Sequence, residues 1–385
     1  MNFLVLLKWI SPVFIFISFF AKRNKNKYVF GEWLGMTYSD SSKFIFEFAL
    51  TDKSKQVIWI TKSKDVFNKL RSENKPVFYA YSIKGIYHQI TSKYFICTVS
   101  SRDINCFTCF FSAKIIMLGH GLPIKEQSHK FTSFEKLKRY IRFRTIDRYY
   151  KSASESEFFD DIAHRQYHLD RSDIIRIPAA RCDIYNQKMD IYQQNNFLSR
   201  NEIIADDFNI IYLPTHRNEG ENATVILMVI DQLNSLADVI NKKYHCSIKF
   251  HVKLHQYDSA LIKKISYKNV NMLEFSTKLS NLFQVADAFM GDYSGIFYDF
   301  IYFKKPMIAY VPDYDDYICS SRKLYTNLEE LYGAVAYSRD ELTIILEKIM
   351  QDHSSKNNLF LPKYERTLSE TDSFSKECWE SIKEC

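Results

Sequence analysis

Residues 285–317 read V-A-D-A-F-M-G-D-Y-S-G-I-F-Y-D-F-I-Y-F-K-K-P-M-I-A-Y-V-P-D-Y-D-D-Y, and this stretch decides the fold. Residues 286–290 are a short apolar run with the length of one buried strand. Gly291, Asp292, Tyr293, Ser294 and Gly295 make a turn cluster in which Ser294 is a candidate N-cap. Ile296, Phe297, Phe300, Ile301 and Phe303 then recur at near-helical spacing, and residues 306–311 are a second apolar run stopped by Pro312. Strand, turn, helix and strand make one βαβ unit. A helix opening at Ser294 and Gly295 turns free N–H groups and its positive dipole end toward the turn. That is an anion site at the carboxyl end of parallel strands. A well-capped core helix that binds nothing is the competing reading of the spacing alone.

Outward from this unit, the 385 residues suffice for two domains of ordinary size. A hydrophobic share of 46% excludes wholesale disorder, and a net charge of +7 suits anionic partners: a nucleotide donor, a phosphate polymer or an acidic membrane surface. No zinc finger or RNP strand is present, so a nucleic-acid module is not expected. Of eight cysteines, only Cys106 and Cys109 have CxxC spacing, and no second pair follows. That pattern speaks against a zinc site, and scattered thiols fit a reducing cytoplasm.

Residues 3–20 are the most apolar run, interrupted by Lys8 and Pro12 and followed by Lys22, Arg23, Lys25 and Lys27. The reading favoured is a membrane-associating segment over 1–26, its cations against anionic headgroups on the cytoplasmic side. A signal peptide and a buried first helix are the rivals. From residue 27 short apolar runs alternate with helical patterns, which means a largely parallel α/β sheet. The domains expected are 27–190 and 205–350, with a last helix within 351–385. Residues 136–150 hold six Lys or Arg among aromatics, suited to lipid headgroups, to an anionic acceptor or to plain solvation. Residues 152–155 are read as a helix start with Ser154 as cap.

Candidate site residues stand at predicted strand ends. Residues 118–125 run L-G-H-G-L-P-I-K, so an apolar strand enters a Gly-His-Gly turn that projects the His120 imidazole beside Gly121, with Lys125 beyond. Residues 210–217 run I-I-Y-L-P-T-H-R and end on Arg217, which can fork onto a phosphate. Lys253 and His255 lie two apart at the end of a predicted strand over 248–255. They would share one face, a cation and an imidazole suited to a transferring phosphoryl group. His251, deeper in that strand, is read as structural.

Several motifs converge on one family. A-D-x-x-x-x-D-Y-S-x-I-x-x-D-F takes in Ala286, Asp287, Asp292, Tyr293, Ser294, Ile296, Asp299 and Phe300. K-P-x-I-x-Y-x-P-D then takes in Lys305 to Asp313, with Tyr317 after it. Together with H-G-x-P-x-K at His120, P-T-x-R at Arg217, R-x-D at Arg181 and K-x-H at Lys253, this closely resembles the CDP-glycerol glycerophosphotransferases of bacterial teichoic acid and capsule synthesis. Departures from the family's pattern are Gly291, Gly295, Leu122 and Gln256. The resemblance covers residues 27–382 and implies a GT-B fold, two Rossmann-like domains facing across a cleft. It implies that His120 is the catalytic base and that His255, with Arg217 and Lys253, steadies the transferring phosphate. Gly121, Lys125, Asp292, Tyr293, Ser294, Gly295 and Asp299 would bind substrate, the diphosphate lying at the turn around Ser294.

The donor implied is CDP-glycerol or CDP-ribitol, and the acceptor a lipid-linked or polymeric hydroxyl at the cytoplasmic face of the bacterial membrane. No cofactor or metal ligand set is required by the sequence, although the acidic loop 313–316 can hold a divalent ion. A GT-B glycosyltransferase using a nucleotide sugar is the alternative, and a non-catalytic assembly protein that kept the fold is the second rival.

Overall fold

The computed structural model describes residues 13–109, 111–121, 123–126, 132–145, 148–216, 222–255, 258, 267–320, 323–352, 360–361 and 373–385. The chain divides into two compact units. Met1–His120, Phe131–Asn186 and Arg366–Cys385 form the first, and Gly121–Lys130 with Gln187–Glu365 the second. Residues 121–130 therefore group with the second unit, although they fall within the span 27–190 expected for the first domain.

The first unit is a parallel sheet of seven strands: β1 (Asn24–Phe30), β2 (Gln56–Thr61), β3 (Val77–Tyr79), β4 (Ser92–Cys97), β5 (Lys114–Met117), β6 (Tyr149–Ser154) and β7 (Ile174–Arg176). Their order is β3-β2-β1-β4-β5-β6-β7. Because both faces are covered, the central strands are apolar along their length rather than alternating. Tyr28, Phe30, Trp59 and Ile96 face one core, while Val29, Ile58, Phe95 and Ile115 face the other. The helix Phe374–Lys383 belongs to this unit. Its buried Trp379 meets Tyr28 edge-on with ring centroids 4.9 Å apart, and its indole N–H donates to Asp52 Oδ2 at 3.2 Å. Asp183 accepts the opening N–H groups of that helix, from Phe374 at 2.6 Å and Ser375 at 3.0 Å.

The second unit is a parallel sheet of six strands: β8 (Phe208–Tyr212), β9 (Ile248–Val252), β10 (Val270–Met272), β11 (Ala288–Gly291), β12 (Met307–Tyr310) and β13 (Ala334–Ala336), ordered β10-β9-β8-β11-β12-β13. The helix Asn222–Tyr244 lays Ile226, Val229, Ile230, Leu233, Leu236, Ala237 and Ile240 into the core at helical spacing. Residues Thr224–Tyr244 of this helix are long and apolar enough to cross a membrane, but this stripe packs against the sheet.

Several expectations are corrected. Residues 152–154 close strand β6 instead of opening a helix. Their backbone pairs with β5 on one side and β7 on the other, and the helix starts later, at Glu157. The loop 313–316 is helical from Tyr314, in the helix Tyr314–Ser320. Strand β9 stops at Val252, so Lys253 and His255 lie beyond it and strand parity does not place them on one face. The helix expected over 296–303 is one α-turn, Phe297–Phe300, then a 3-10 turn, Ile301–Phe303. Its N-cap is Ile296 and not Ser294, so the helix-dipole argument for an anion site is withdrawn.

The basic cluster after residue 20 is also corrected, because β1 begins inside it. The Arg23 guanidinium donates to the carbonyls of Phe111, Gln89, Ser92 and Thr108, and burial pushes its pKa down to about 10. Lys27 is buried, donates to Thr91 Oγ1 at 2.6 Å and is pushed down to about 8 by burial. Both cations fasten the sheet. Lys22 and Lys25 remain exposed. Of the apolar run 3–20, residues 3–12 lie outside the described residues. Val13–Phe20 is a helix packed on the segments Cys106–Thr108 and Ile83–Thr91, with Phe14 and Ser18 buried and Phe16, Phe19 and Phe20 exposed.

Candidate active site

In each sheet the strand order reverses once, between β1 and β4 in the first unit and between β8 and β11 in the second. At such a switch point the loops leaving neighbouring strands diverge and open a crevice at the carboxyl ends, where ligands bind in open α/β sheets. The candidate residues gather at these two places.

In the first unit His120 follows β5. Gly119 and Gly121 flank it with φ +75° and +121°, a backbone region that glycine enters without strain. The exposed imidazole has Nδ1 3.2 Å from the Thr98 carbonyl, which sits just past β4. A carbonyl only accepts, so Nδ1 carries the proton and the neutral ring keeps its lone pair on Nε2. That is the tautomer of a base whose working nitrogen points away from its anchor. The Trp33 ring meets the imidazole edge-on at 4.9 Å. Trp33 belongs to the loop after β1, which two buried carboxylates tie down. Asp103 accepts from the N–H groups of Leu34, Thr98 and Val99 at 2.7–2.8 Å. Glu32 accepts from Ser39 N, Asp40 N and the Thr37 hydroxyl.

Burial pushes the Glu32 carboxyl from its ordinary 4.5 up to about 7, against the pull of these donors and helped by the Asp40 charge. An acid with a raised folded pKa binds its proton more tightly when folded. Its cost is absent below pH 4.5 and grows as pH rises through 7, to about 3 kcal/mol. Urea unfolding between pH 5 and 8 should therefore show wild-type stability falling relative to Glu32→Gln; parallel curves would refute the assignment.

In the second unit Asp292, just past β11, is fully buried. It accepts from Thr215 N at 3.0 Å, from Thr215 Oγ1 at 2.5 Å and from Tyr293 N at 2.6 Å. The pair clips the loop after β8 to the loop after β11, across the switch point. Tyr293 is buried, donates to Asp313 Oδ1 at 3.0 Å and stacks on Tyr317 at 3.6 Å. Lys125 joins this group. Its strand-like segment pairs with Leu324, and its ammonium lies 5.6 Å from the Tyr317 ring. Gly291 leaves room for Tyr332, whose hydroxyl donates to the Asp292 carbonyl at 3.3 Å; a Cβ on Gly291 would come 2.9 Å from the Tyr332 hydroxyl oxygen. Ser294 and Gly295 are half-buried in the turn, and Ser294 Oγ accepts Ile296 N at 3.4 Å. Asp299 is buried on the short helix.

His255 is exposed and its ring stacks 5.5 Å from that of His216, whose Nδ1 is 3.0 Å from Asp258. Lys253 is turned elsewhere, donating to the Phe275 carbonyl at 2.7 Å, and burial lowers its pKa. Arg217 lies outside the described residues. His251 is buried between Asn209 and Asn271 and pushed down to about 4 by burial, which fits its structural reading. Two motif residues serve the fold. Lys305 donates to the carbonyls of Gln284 and Ala286, and Asp287 accepts Asn209 N at 2.8 Å. Among the described residues no group of three or more His, Cys, Asp or Glu is placed to hold a metal ion.

Residues 13–378 match the family model described as CDP-glycerol:poly(glycerophosphate) glycerophosphotransferase. The chain belongs to this family. It is an enzyme, a glycerophosphotransferase with CDP-glycerol as donor. Among curated relatives of this glycerophosphotransferase, a teichoic acid poly(glycerol phosphate) polymerase of Bacillus spizizenii is 25% identical over 325 residues, 80% of this chain and 79% of that one. A teichoic acid glycerol-phosphate transferase of Staphylococcus aureus is 22% identical over 340 residues, 85% and 84% of the two chains. Among solved structures, the wall teichoic acid polymerase TagF superposes with a TM-score of 0.70 at 18% identity, covering 98% of this chain and 94% of that one. That likeness shows the two-sheet α/β fold.

Sequence reading missed Thr98 and Trp33 on the His120 side, and His216 with Asp258 on the other. His216 occupied the variable position of P-T-x-R, and Trp33 lay in a loop with no motif.

Proposed function

We propose that this glycerophosphotransferase adds glycerol phosphate from CDP-glycerol to a hydroxyl of a lipid-linked or polymeric acceptor, releasing CMP, in the synthesis of teichoic acid or a capsule-like surface polymer. CDP-ribitol is the second donor to be tried. The acceptor oxygen bonds to the glycerol-bearing phosphorus, and the bond from that phosphorus to the bridging oxygen breaks. The acceptor proton passes to His120 Nε2, and CMP leaves with the bridging oxygen. His255, with Arg217 and Lys253, offsets charge on the transferring phosphate. Asp292, Tyr293, Ser294, Gly295 and Asp299 shape the donor loop, with Gly121 and Lys125 beside it. Positioning and electrostatics carry most of such a transfer. The GT-B arrangement is part of this proposal. The observation that carries it is the His120 ring at the end of β5 with Nδ1 3.2 Å from the Thr98 carbonyl, which leaves Nε2 to take the acceptor proton.

The test is CMP release from CDP-glycerol and CDP-ribitol by the detergent-solubilised chain, with membrane extract as acceptor and nucleotide sugars in parallel. Release from a CDP-polyol that disappears in His120→Ala supports the reading; a folded protein that transfers only sugar overturns it. Family membership already weighs against the sugar alternative.

The proposal places the enzyme on the cytoplasmic face of the membrane. Two exposed surfaces support this. The helix Ser133–Thr145 exposes Phe134, Leu137, Tyr140 and Ile141 among Lys136, Lys138, Arg139 and Arg142. The helix Val13–Phe20 exposes Phe16, Phe19 and Phe20, and Phe19 meets the exposed Phe111 edge-on at 5.0 Å. Apolar residues beside cations suit an anionic interface. Co-sedimentation with phosphatidylglycerol vesicles should drop at least about tenfold in a Phe16→Glu, Leu137→Glu double variant, since buried apolar area sets such binding. Equal sedimentation would rule these surfaces out.

A further inference from the structure

The loop after β1 is held in an unusual way, and its place beside His120 gives that a purpose. Trp33, Leu34 and Gly35 all lie in the left-handed region, with φ 45°, 60° and 84°. For the two residues with side chains this costs roughly 1 kcal/mol or more each. The surroundings enforce it. Leu34 N donates to Asp103, Trp33 N reaches Thr98 Oγ1 at 3.3 Å, and the Gly35 carbonyl accepts from Lys62 N at 2.7 Å and the Thr61 hydroxyl at 2.9 Å. A Cβ at Gly35 would come 2.8 Å from the Asp103 carbonyl. Core burial does not explain the result, because the Trp33 side chain so placed stays 41% exposed. Its indole N–H is fixed by Asp40 Oδ2 at 2.9 Å, leaving the ring edge against the His120 imidazole.

His120 needs such a neighbour. Among the described residues its ring has two partners, the Thr98 carbonyl and the Trp33 ring. Among the described residues nothing lies within 4 Å of where a Cβ would stand on either flanking glycine, so no packing at those two points steadies the turn. One hydrogen bond fixes a point and leaves the ring free to swing about it. An edge-to-face contact sets the plane.

We propose that Trp33 is a positioning residue for the transfer, its indole setting the plane of the His120 imidazole so that Nε2 is aimed at the acceptor hydroxyl. The strained loop Trp33–Gly35 holds that indole in place. This rests on the reading of His120 as the base. Misplacing a base by a fraction of its hydrogen-bond reach costs up to about 100-fold in rate. Binding of CDP-glycerol, which needs no proton transfer, should be untouched.

The experiment uses the full chain and CMP release from CDP-glycerol, with His120→Ala, Trp33→Ala and Trp33→Phe, and 15N-histidine spectra of wild type and Trp33→Ala. Trp33→Ala should lower kcat about 10- to 100-fold with the KM for CDP-glycerol within about twofold, because ground-state binding is unchanged. Trp33→Phe keeps a ring edge in place and should recover most of kcat. The His120 nitrogens should show separate protonated and unprotonated shifts in wild type and move toward each other in Trp33→Ala as the tautomers mix. A Trp33→Ala enzyme with wild-type kcat, beside an inactive His120→Ala, overturns this inference alone. So does a loss that Trp33→Phe fails to restore while the His120 shifts stay put. An active His120→Ala overturns the base reading itself.

Discussion

His120→Ala is expected to lower kcat for CMP release by roughly 10³-fold, within the range a general base contributes, and to leave the KM for CDP-glycerol nearly unchanged. The acceptor is a neutral hydroxyl, a poor nucleophile until its proton has somewhere to go. In the proposed reaction that place is Nε2 of His120. The fold should survive the substitution, because the ring is exposed and its loss removes one hydrogen bond to Thr98, worth about 1 kcal/mol. Initial rates across CDP-glycerol concentrations, with an unfolding curve for each variant, separate the two effects. Activity within tenfold of wild type would remove His120 from the chemistry.

Asp292→Ala should fail differently. The carboxylate accepts two backbone N–H groups and a hydroxyl where no water reaches. Each buried donor left without an acceptor costs about 1–3 kcal/mol, so a total loss of roughly 3–5 kcal/mol is expected. The loops after β8 and β11 would come apart at the switch point, and calorimetry should find CDP-glycerol binding at least about tenfold weaker as preorganisation is lost. Asp292→Asn keeps the volume and one acceptor oxygen and should fall between. A destabilisation under about 1 kcal/mol with unchanged affinity would mean the clip is dispensable, since buried acceptors are rarely so cheap to remove.

What the sequence revealed followed from local chemistry. The run from Ala288 to Tyr310 announced strand, turn and strand because both strands are buried on each face. His120 was visible because an apolar run enters a Gly-His-Gly turn at a strand end, and its role came from the resemblance of H-G-x-P-x-K to the family's motif. Where reading failed, the cause lay far away in the chain or in a signal too short. Thr215 and Asp292 are 77 positions apart, so nothing near either shows that they bond. Ala334–Ala336 is a strand because β12 offers it an edge, though three small residues announce nothing. Ser152–Ser154 read as a helix start because serine caps helices, and the neighbouring strands overruled that preference. Lys253 was paired with His255 on the assumption that β9 ran three residues longer than it does.

The helix Phe374–Lys383 has a bearing on how the molecule is made. Its tie to Asp183 joins residues 191 positions apart, and Trp379 fills the core under Tyr28 and Phe30. A ribosome delivers those two aromatics early and Trp379 late, after the whole second sheet. The usual order, in which the amino-terminal domain is finished first, is reversed for this chain. Until translation reaches the last helix, the helices Ser41–Ala49 and Lys64–Ser72 cover the Tyr28 face of the first sheet only in part, and the places that Cys378, Trp379 and Ile382 fill stay open, apolar surface for a chaperone to shield. A ribosome stalled anywhere between Asp183 and Phe374 would leave a nascent chain that carries His120 but lacks Trp379 from the core of the same unit.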